Sequence, residues 1–184
     1  MKILKSITCA AILFLAIGAN AQNSKQNKLI KDAKKAKEKL MKMEIGLDEF
    51  FSTSAGYVIF PNVGKGGLII GGASGNGVVY ENGTIIGMAD LKKLSIGLQA
   101  GGQSITEIIF FETTGDLAEF KDGDFEFAAE ASAVALKSGV AVNAKYKDGV
   151  AVFALPKAGL MADASVGGQK FGYTPLPNSS NDMK

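Results

Sequence analysis

Leu29, Ala33, Ala36, Leu40 and Met43 follow one another at steps of four, three, four and three. That is one stripe of a helix with 3.6 residues per turn. Lys28, Lys31, Lys34, Lys35, Lys39 and Lys42 fall on the opposite side. The spacing predicts a helix from Gln22 to about Met43, broken at Gly46. "LDEFFSTS" predicts a second, short helix with Leu47, Phe50 and Phe51 inward. From Gly56 the period changes: "GYVIF", "GGLIIGG", "GVVYENGTIIGMA", "LSIGLQAGG" and "ITEIIFFET" are β-branched runs punctuated by glycine. "ENG" between "VVY" and "TII" is a hairpin signal, because Asn82 and Gly83 tolerate positive φ.

"GDLAEFKDG" reads as one short helix with Leu117 and Phe120 apolar, and "FEFAAEASAVALK" alternates with a strand period. "VAVNAKYKDGVAVFAL" predicts another hairpin turning at Asp148-Gly149, and "GLMADASVGGQKFGY" a closing strand. Consecutive hairpins favour antiparallel pairing. The expected fold is α+β: an N-terminal helical segment packed on a curved, mostly antiparallel, barrel-like sheet of about eight to ten short strands. A membrane-spanning barrel fits poorly, because several runs are shorter than the roughly 9–11 residues a spanning strand needs and aromatic girdles are missing.

The first residues stand apart from that domain. "MKILKS" is a basic stretch, "ITCAAILFLAIGA" is an apolar run, and Ala19-Asn20-Ala21 fits a small-x-small cleavage rule. Residues 1–21 therefore read as a secretory signal peptide, placing the mature chain in the periplasm or outside the cell. Residues 22–54 form a basic amphipathic helical segment, 55–173 the β-rich domain and 174–184 a loose polar tail.

Cleavage changes the chemistry. Cys9, the single cysteine, leaves with the signal peptide, and the mature chain has no Cys, His, Trp or Arg. That excludes a disulfide, a thiolate nucleophile, an imidazole base and a Cys/His zinc site. Loss of Lys2 and Lys5 leaves eighteen lysines against eighteen carboxylates. The balance is uneven along the chain. Residues 22–42 carry Lys25, Lys28, Lys31, Lys34, Lys35, Lys37, Lys39 and Lys42 against Asp32 and Glu38. Such asymmetry points to an anionic partner for the basic segment.

Three features invite a chemical reading. "GGASGNG" partly mimics a dinucleotide-binding loop, but that loop must run from a strand into a helix. Here a hairpin follows, so the glycines read as permitting bulges and bends. Asp116, Glu119, Asp122, Asp124, Glu126 and Glu130 cluster in sequence. Two of them as acid and base would make a glycoside hydrolase, whereas a helix surface, a turn and a strand's outer face account for all six. The lysine-rich helix can lie on an anionic membrane, or it can bury its stripe on its own sheet and solvate its lysines.

"SAGYVIFPNVGKGGLIIGGASGNGVVYENG", "LSIGLQAGGQSITEIIFF", "FKDGDFEFAAEASAVA" and "VFALPKAGLMADASVGGQKFGY" together resemble the SYLF domain family, over about Leu29 to Tyr173. The matching positions include Ala55-Gly56, Lys65-Gly66-Gly67, Gly75 and Gly77, Gly97, Gly101 and Gln103, Lys157 to Leu160, and Gly167-Gly168. The chain departs from the family in lacking a Gly-Arg element after the alanine-rich strand and any SH3 or FYVE module. The resemblance implies a non-enzymatic phospholipid-binding protein without a cofactor or metal. Its partner would be an anionic phospholipid or membrane surface, not a nucleic acid. The candidate lipid-binding residues are Lys28, Lys31, Lys34, Lys35, Lys39 and Lys42, with Lys65 and Lys157 as additions. The alternative is a structural or protein-interaction module of the cell envelope.

Overall fold

The computed structural model describes residues 23–42, 46–67, 70–123, 126–128, 133–135 and 145–177; for 95–100, 126–128, 133–135 and 158–168 the backbone alone is described. Residues 1–21, where a signal peptide is expected, together with Asp124, Glu130 and most of the tail, lie outside the described residues. Helix α1 spans 23–42. Gly46 at φ 99° then turns the chain into α2, Leu47–Thr53. The strands are β1 (Gly56–Gly67), β2 (Ile70–Glu81), β3 (Thr84–Phe111), β4 (Glu126–Ala128), β5 (Ala133–Ala135) and β6 (Val150–Pro175). Helix α3, Thr114–Asp122, connects β3 to β4.

The protein is α+β, with a six-stranded sheet ordered β1-β2-β3-β6-β4 and β5 added to β6. The strands pair antiparallel except β5 with β6, which is parallel. Among the described residues the sheet is not closed into a barrel, and it has fewer strands than the eight to ten expected. Two strands are long, β3 with 28 residues and β6 with 26. Gly97, Gly101 and Gly102 look like breaks in the sequence. In the structure they let β3 bend while it stays paired with β6, Gly97 opposite Ser165 and Gly101 opposite Met161. Strand length is therefore no argument against a membrane barrel here.

The bend in β3 sets the topology. Its first half pairs with β2 (Ile70 opposite Ile96, Glu81 opposite Thr84), and its second half with β1 (Gly56 opposite Phe111, Gly67 opposite Gly101). The β1–β2 hairpin is thus held between two halves of one strand. β1 bulges between Ile59 and Asn62, and the glycines of β2 receive the bulge. A Cβ on Gly75 would lie 2.8 Å from the Asn62 carbonyl oxygen, and one on Gly77 2.8 Å from the Phe60 ring. The β2–β3 turn has Asn82 at φ 50° and Gly83 at φ 76°, the two positive values that a type I′ hairpin requires. Asp148 and Gly149 repeat this geometry before β6.

Around the first half of β1 both faces of the sheet are apolar and covered, so the "GYVIF" run is buried throughout. On one face, Tyr57, Ile59, Val78, Tyr80, Ile108, Phe110 and Phe153 pack under α1 and α2. On the other, Val58, Phe60, Val79, Leu91, Ile109 and Phe111 pack with Leu117 and Phe120 of α3. Helix α3 starts at a capping box. The Thr113 amide and hydroxyl donate to Asp116 at 2.8 and 2.6 Å, and the Asp116 amide donates back to the Thr113 hydroxyl. Gly123 at φ 79° ends the helix.

Candidate functional site

Helix α1 presents two chemically distinct sides. Ala33 and Leu40 are buried, and Leu29, Ile30 and Ala36 pack against the same cluster. Docking of this stripe on the sheet leaves Lys28, Lys31, Lys34, Lys35, Lys39 and Lys42 exposed. At 3.6 residues per turn, five of them (all but Lys34) fall within roughly a quarter of the helix circumference. The apolar side is committed to the core, so the helix offers charge to a surface and has no free apolar face to insert.

Lys37 belongs to the buried side. Its ammonium donates to the Tyr57 hydroxyl at 2.7 Å and sits 4.4 Å from the Phe51 ring centre. Burial lowers its pKa. Tyr57 stacks on Tyr80 with ring centres 4.7 Å apart. Burial, and then Tyr57, push Tyr80 up to about 12. This lysine fastens α1 to the sheet through a cation–π contact and a hydrogen bond.

Lys65 and Lys157 lie apart from that row. The exposed Lys157 donates to the Pro61 carbonyl at 3.2 Å and to the Asn62 side-chain oxygen, bracing the β1 bulge. Lys65, half-buried on β1, flanks Glu107 on the sheet face opposite α1. The structure therefore assembles six of the eight candidate lysines on one surface. Of the acidic cluster, Asp116 is engaged in the helix cap, and Glu119 and Asp122 are exposed on α3.

A groove of about 470 Å³ opens where the N-terminal half of α1 crosses the sheet. Leu29, Met88 and Ala89 supply apolar walls, while Lys25, Lys28 and Asp32 stand among its polar lining. Its size lies within the range of small-ligand pockets, roughly 300–1,000 Å³. No helix among the described residues is long and apolar enough to cross a membrane.

Glu107 escaped the sequence reading. It lies between Ile105 and Ile109, is 1% exposed, and its Oε1 has no hydrogen-bond partner. Gln169, opposite Lys93 in the β3–β6 ladder, is also buried with an unpartnered Oε1. Burial raises the Glu107 pKa, and the charges of Lys65 and Lys93 offset that in part. A charged residue inside "ITEIIFF", a run too apolar for a one-faced strand, was the available signal.

The sign of the pH effect follows from that raised pKa. The folded chain holds the Glu107 proton to higher pH than the unfolded chain. Stability therefore falls as pH rises from the unfolded value toward the folded one. Glu107→Gln is expected to remove that fall. The variant should be more stable than the parent at pH 7, because glutamine carries no proton whose binding differs between the folded and unfolded chains. The two should converge below about pH 4, where the unfolded carboxyl also protonates. Denaturant titrations from pH 3 to 8 check this, and a constant offset between the proteins would contradict it.

No protein-family model matches the chain. A curated relative, beta cell expansion factor A of Aeromonas veronii, is 30% identical over 124 residues. The match covers 66% of this chain and 46% of the relative, so the chain spans about half the length of that protein.

Proposed function

We propose that the protein is a non-enzymatic, SYLF-type lipid-binding protein that meets anionic phospholipid head groups through the exposed lysine face of α1. The carrying observation is the row formed by Lys28, Lys31, Lys34, Lys35, Lys39 and Lys42 on a helix already docked to its own sheet. A rigid platform of this kind binds by charge and needs no folding on contact. The groove beside Lys25 and Lys28, walled by Leu29 and Met88, suits an amphiphile with an anionic head and an apolar chain. With the signal peptide expected over residues 1–21, the ligand would be an envelope phospholipid.

Lysine ammoniums act as point charges, so recognition should follow lipid charge more than head-group stereochemistry. Co-sedimentation is expected with vesicles of anionic phospholipid and not with phosphatidylcholine. Raising the salt from about 0.1 M to about 1 M, which shortens the screening length from about 10 Å to about 3 Å, should release the protein. Equal pelleting with both lipids, insensitive to salt, would overturn the reading.

A further inference from the structure

The sheet face that α1 covers continues beyond the helix. Val78, Asn76, Ser74, Gly72 and Ile70 alternate along that face of β2, and Met88, Asp90, Lys92 and Leu94 along that face of β3. Near the helix, Val78 is buried and Met88 packs against the core. Further out, Leu94 is 75% exposed and Ile70 68%. Together with Met41 on α1, these are the exposed large hydrophobic side chains among the described residues.

Their exposure has a local cause. In the ladder Leu94 lies opposite Gly72 on one side and Gly168 on the other. Neither neighbour has a side chain to cover it, and a Cβ added to Gly72 would meet only a backbone oxygen at 3.6 Å. Ile70 lies diagonally across from Leu94, because Ile70 faces Ile96 and Gly72 faces Leu94. Diagonal positions are about 7–8 Å apart, close enough for one apolar patch. Single exposed apolar residues are ordinary, whereas neighbouring ones pool their apolar surface, and it is contiguous apolar surface that marks contact sites.

The charge around the pair selects the partner. Lys92, with its side chain 80% exposed, is two residues from Leu94, and Lys170 faces Lys92 across the ladder and is also exposed. Asp90 lies 3.6 Å from Lys92. Lys25 and Lys28 line one groove with Asn76 and Met88, which lie on the same face of β2 and β3 as Ile70 and Leu94. We propose that Ile70 and Leu94 form a shallow apolar anchor that enters the interface of an anionic bilayer, with Lys92 and the lysines of α1 at head-group level. This rests on the lipid reading and adds what the docked helix lacks, an apolar contribution to binding.

The chain contains no tryptophan, so Leu94→Trp installs a single indole at an exposed position. With anionic vesicles its emission is expected to shift to shorter wavelength and to be quenched by brominated acyl chains. The double variant Ile70→Ser/Leu94→Ser is expected to bind the same vesicles at least about tenfold more weakly, which corresponds to about 1.4 kcal/mol of lost apolar burial. Pelleting with unshifted emission, and unweakened binding by the double variant, would overturn the anchor and leave the lysine reading standing. No pelleting of the parent protein would overturn both. An emission shift that needs no lipid and grows with protein concentration would assign the patch to a second copy of the chain and overturn the anchor.

Discussion

Changing Lys28, Lys31, Lys34, Lys35, Lys39 and Lys42 to glutamine is expected to abolish binding to anionic vesicles while leaving the fold intact. A lysine near an anionic membrane contributes about 1 kcal/mol, so the six together contribute on the order of several kcal/mol before screening. A loss of that size moves an affinity by three or more powers of ten, at about 1.4 kcal/mol per factor of ten. The changes should not disturb folding, because all six side chains are exposed and glutamine is nearly as good a helix former as lysine.

Lys37 provides the internal contrast. It sits on the same helix with the same charge, but its ammonium is spent on the Tyr57 hydroxyl and the Phe51 ring. Lys37→Gln is expected to lower the thermal midpoint and leave vesicle binding nearly unchanged. If every lysine, Lys37 included, weakened binding equally, net charge alone would explain the effect. The orientation set by the docked helix would then be irrelevant.

The elements of local origin were legible in the sequence, and those made by distant contacts were not. The stripe from Leu29 to Leu40 predicts α1, and it lies where the stripe says, with Ala33 and Leu40 buried. Asn82-Gly83 and Asp148-Gly149 carry their positive φ values as residue types. The continuity of β3 and β6 was not readable. Gly97, Gly101 and Gly102 give the same local signal whether a strand ends or bends, and pairing with residues some sixty positions away decides which. The bulge in β1 and the pairing of β1 with β3 are non-local for the same reason.

The same division holds for the candidate site. The lysine face was legible because charge periodicity on a helix is local. The separation of Lys37 from it required the sheet, since Tyr57 and Phe51 make that lysine structural. Lys65 and Lys157 matched motifs by position, and their placement beside Glu107 and at the β1 bulge depends on strand register. Ile70 and Leu94 read as ordinary strand hydrophobics. Their exposure arises because the sheet extends past the helix that covers it and because glycines flank Leu94.

Replacing Phe110 by alanine is expected to be the most damaging single change to the sheet and to the helix platform it supports. Phe110 is fully buried, opposite Tyr57 on β1 and Ala151 on β6. Its ring centre lies 5.4 Å from Phe50, 4.9 Å from Phe51, 5.8 Å from Tyr57 and 5.7 Å from Phe153. One ring thus joins α2 to three strands, and through Tyr57 it backs the contact that fastens Lys37 of α1. Truncating a buried phenylalanine costs about 3–5 kcal/mol, against a total stability of about 5–15 kcal/mol for a domain. The thermal midpoint should fall by about 2–4 °C for each kcal/mol lost. Denaturant unfolding should show a lower midpoint at unchanged slope, since the surface exposed on unfolding is nearly the same. Phe110→Leu retains most of the volume and should recover much of the loss. Hydrogen exchange supplies the local readout, with α2 and the C-terminal half of α1 losing protection before α3, whose core contacts lie on the other face of the sheet. Equal loss of protection in α1, α2 and α3 would mean that the two faces unfold as one unit and that the aromatic cluster has no special hold on the lysine platform.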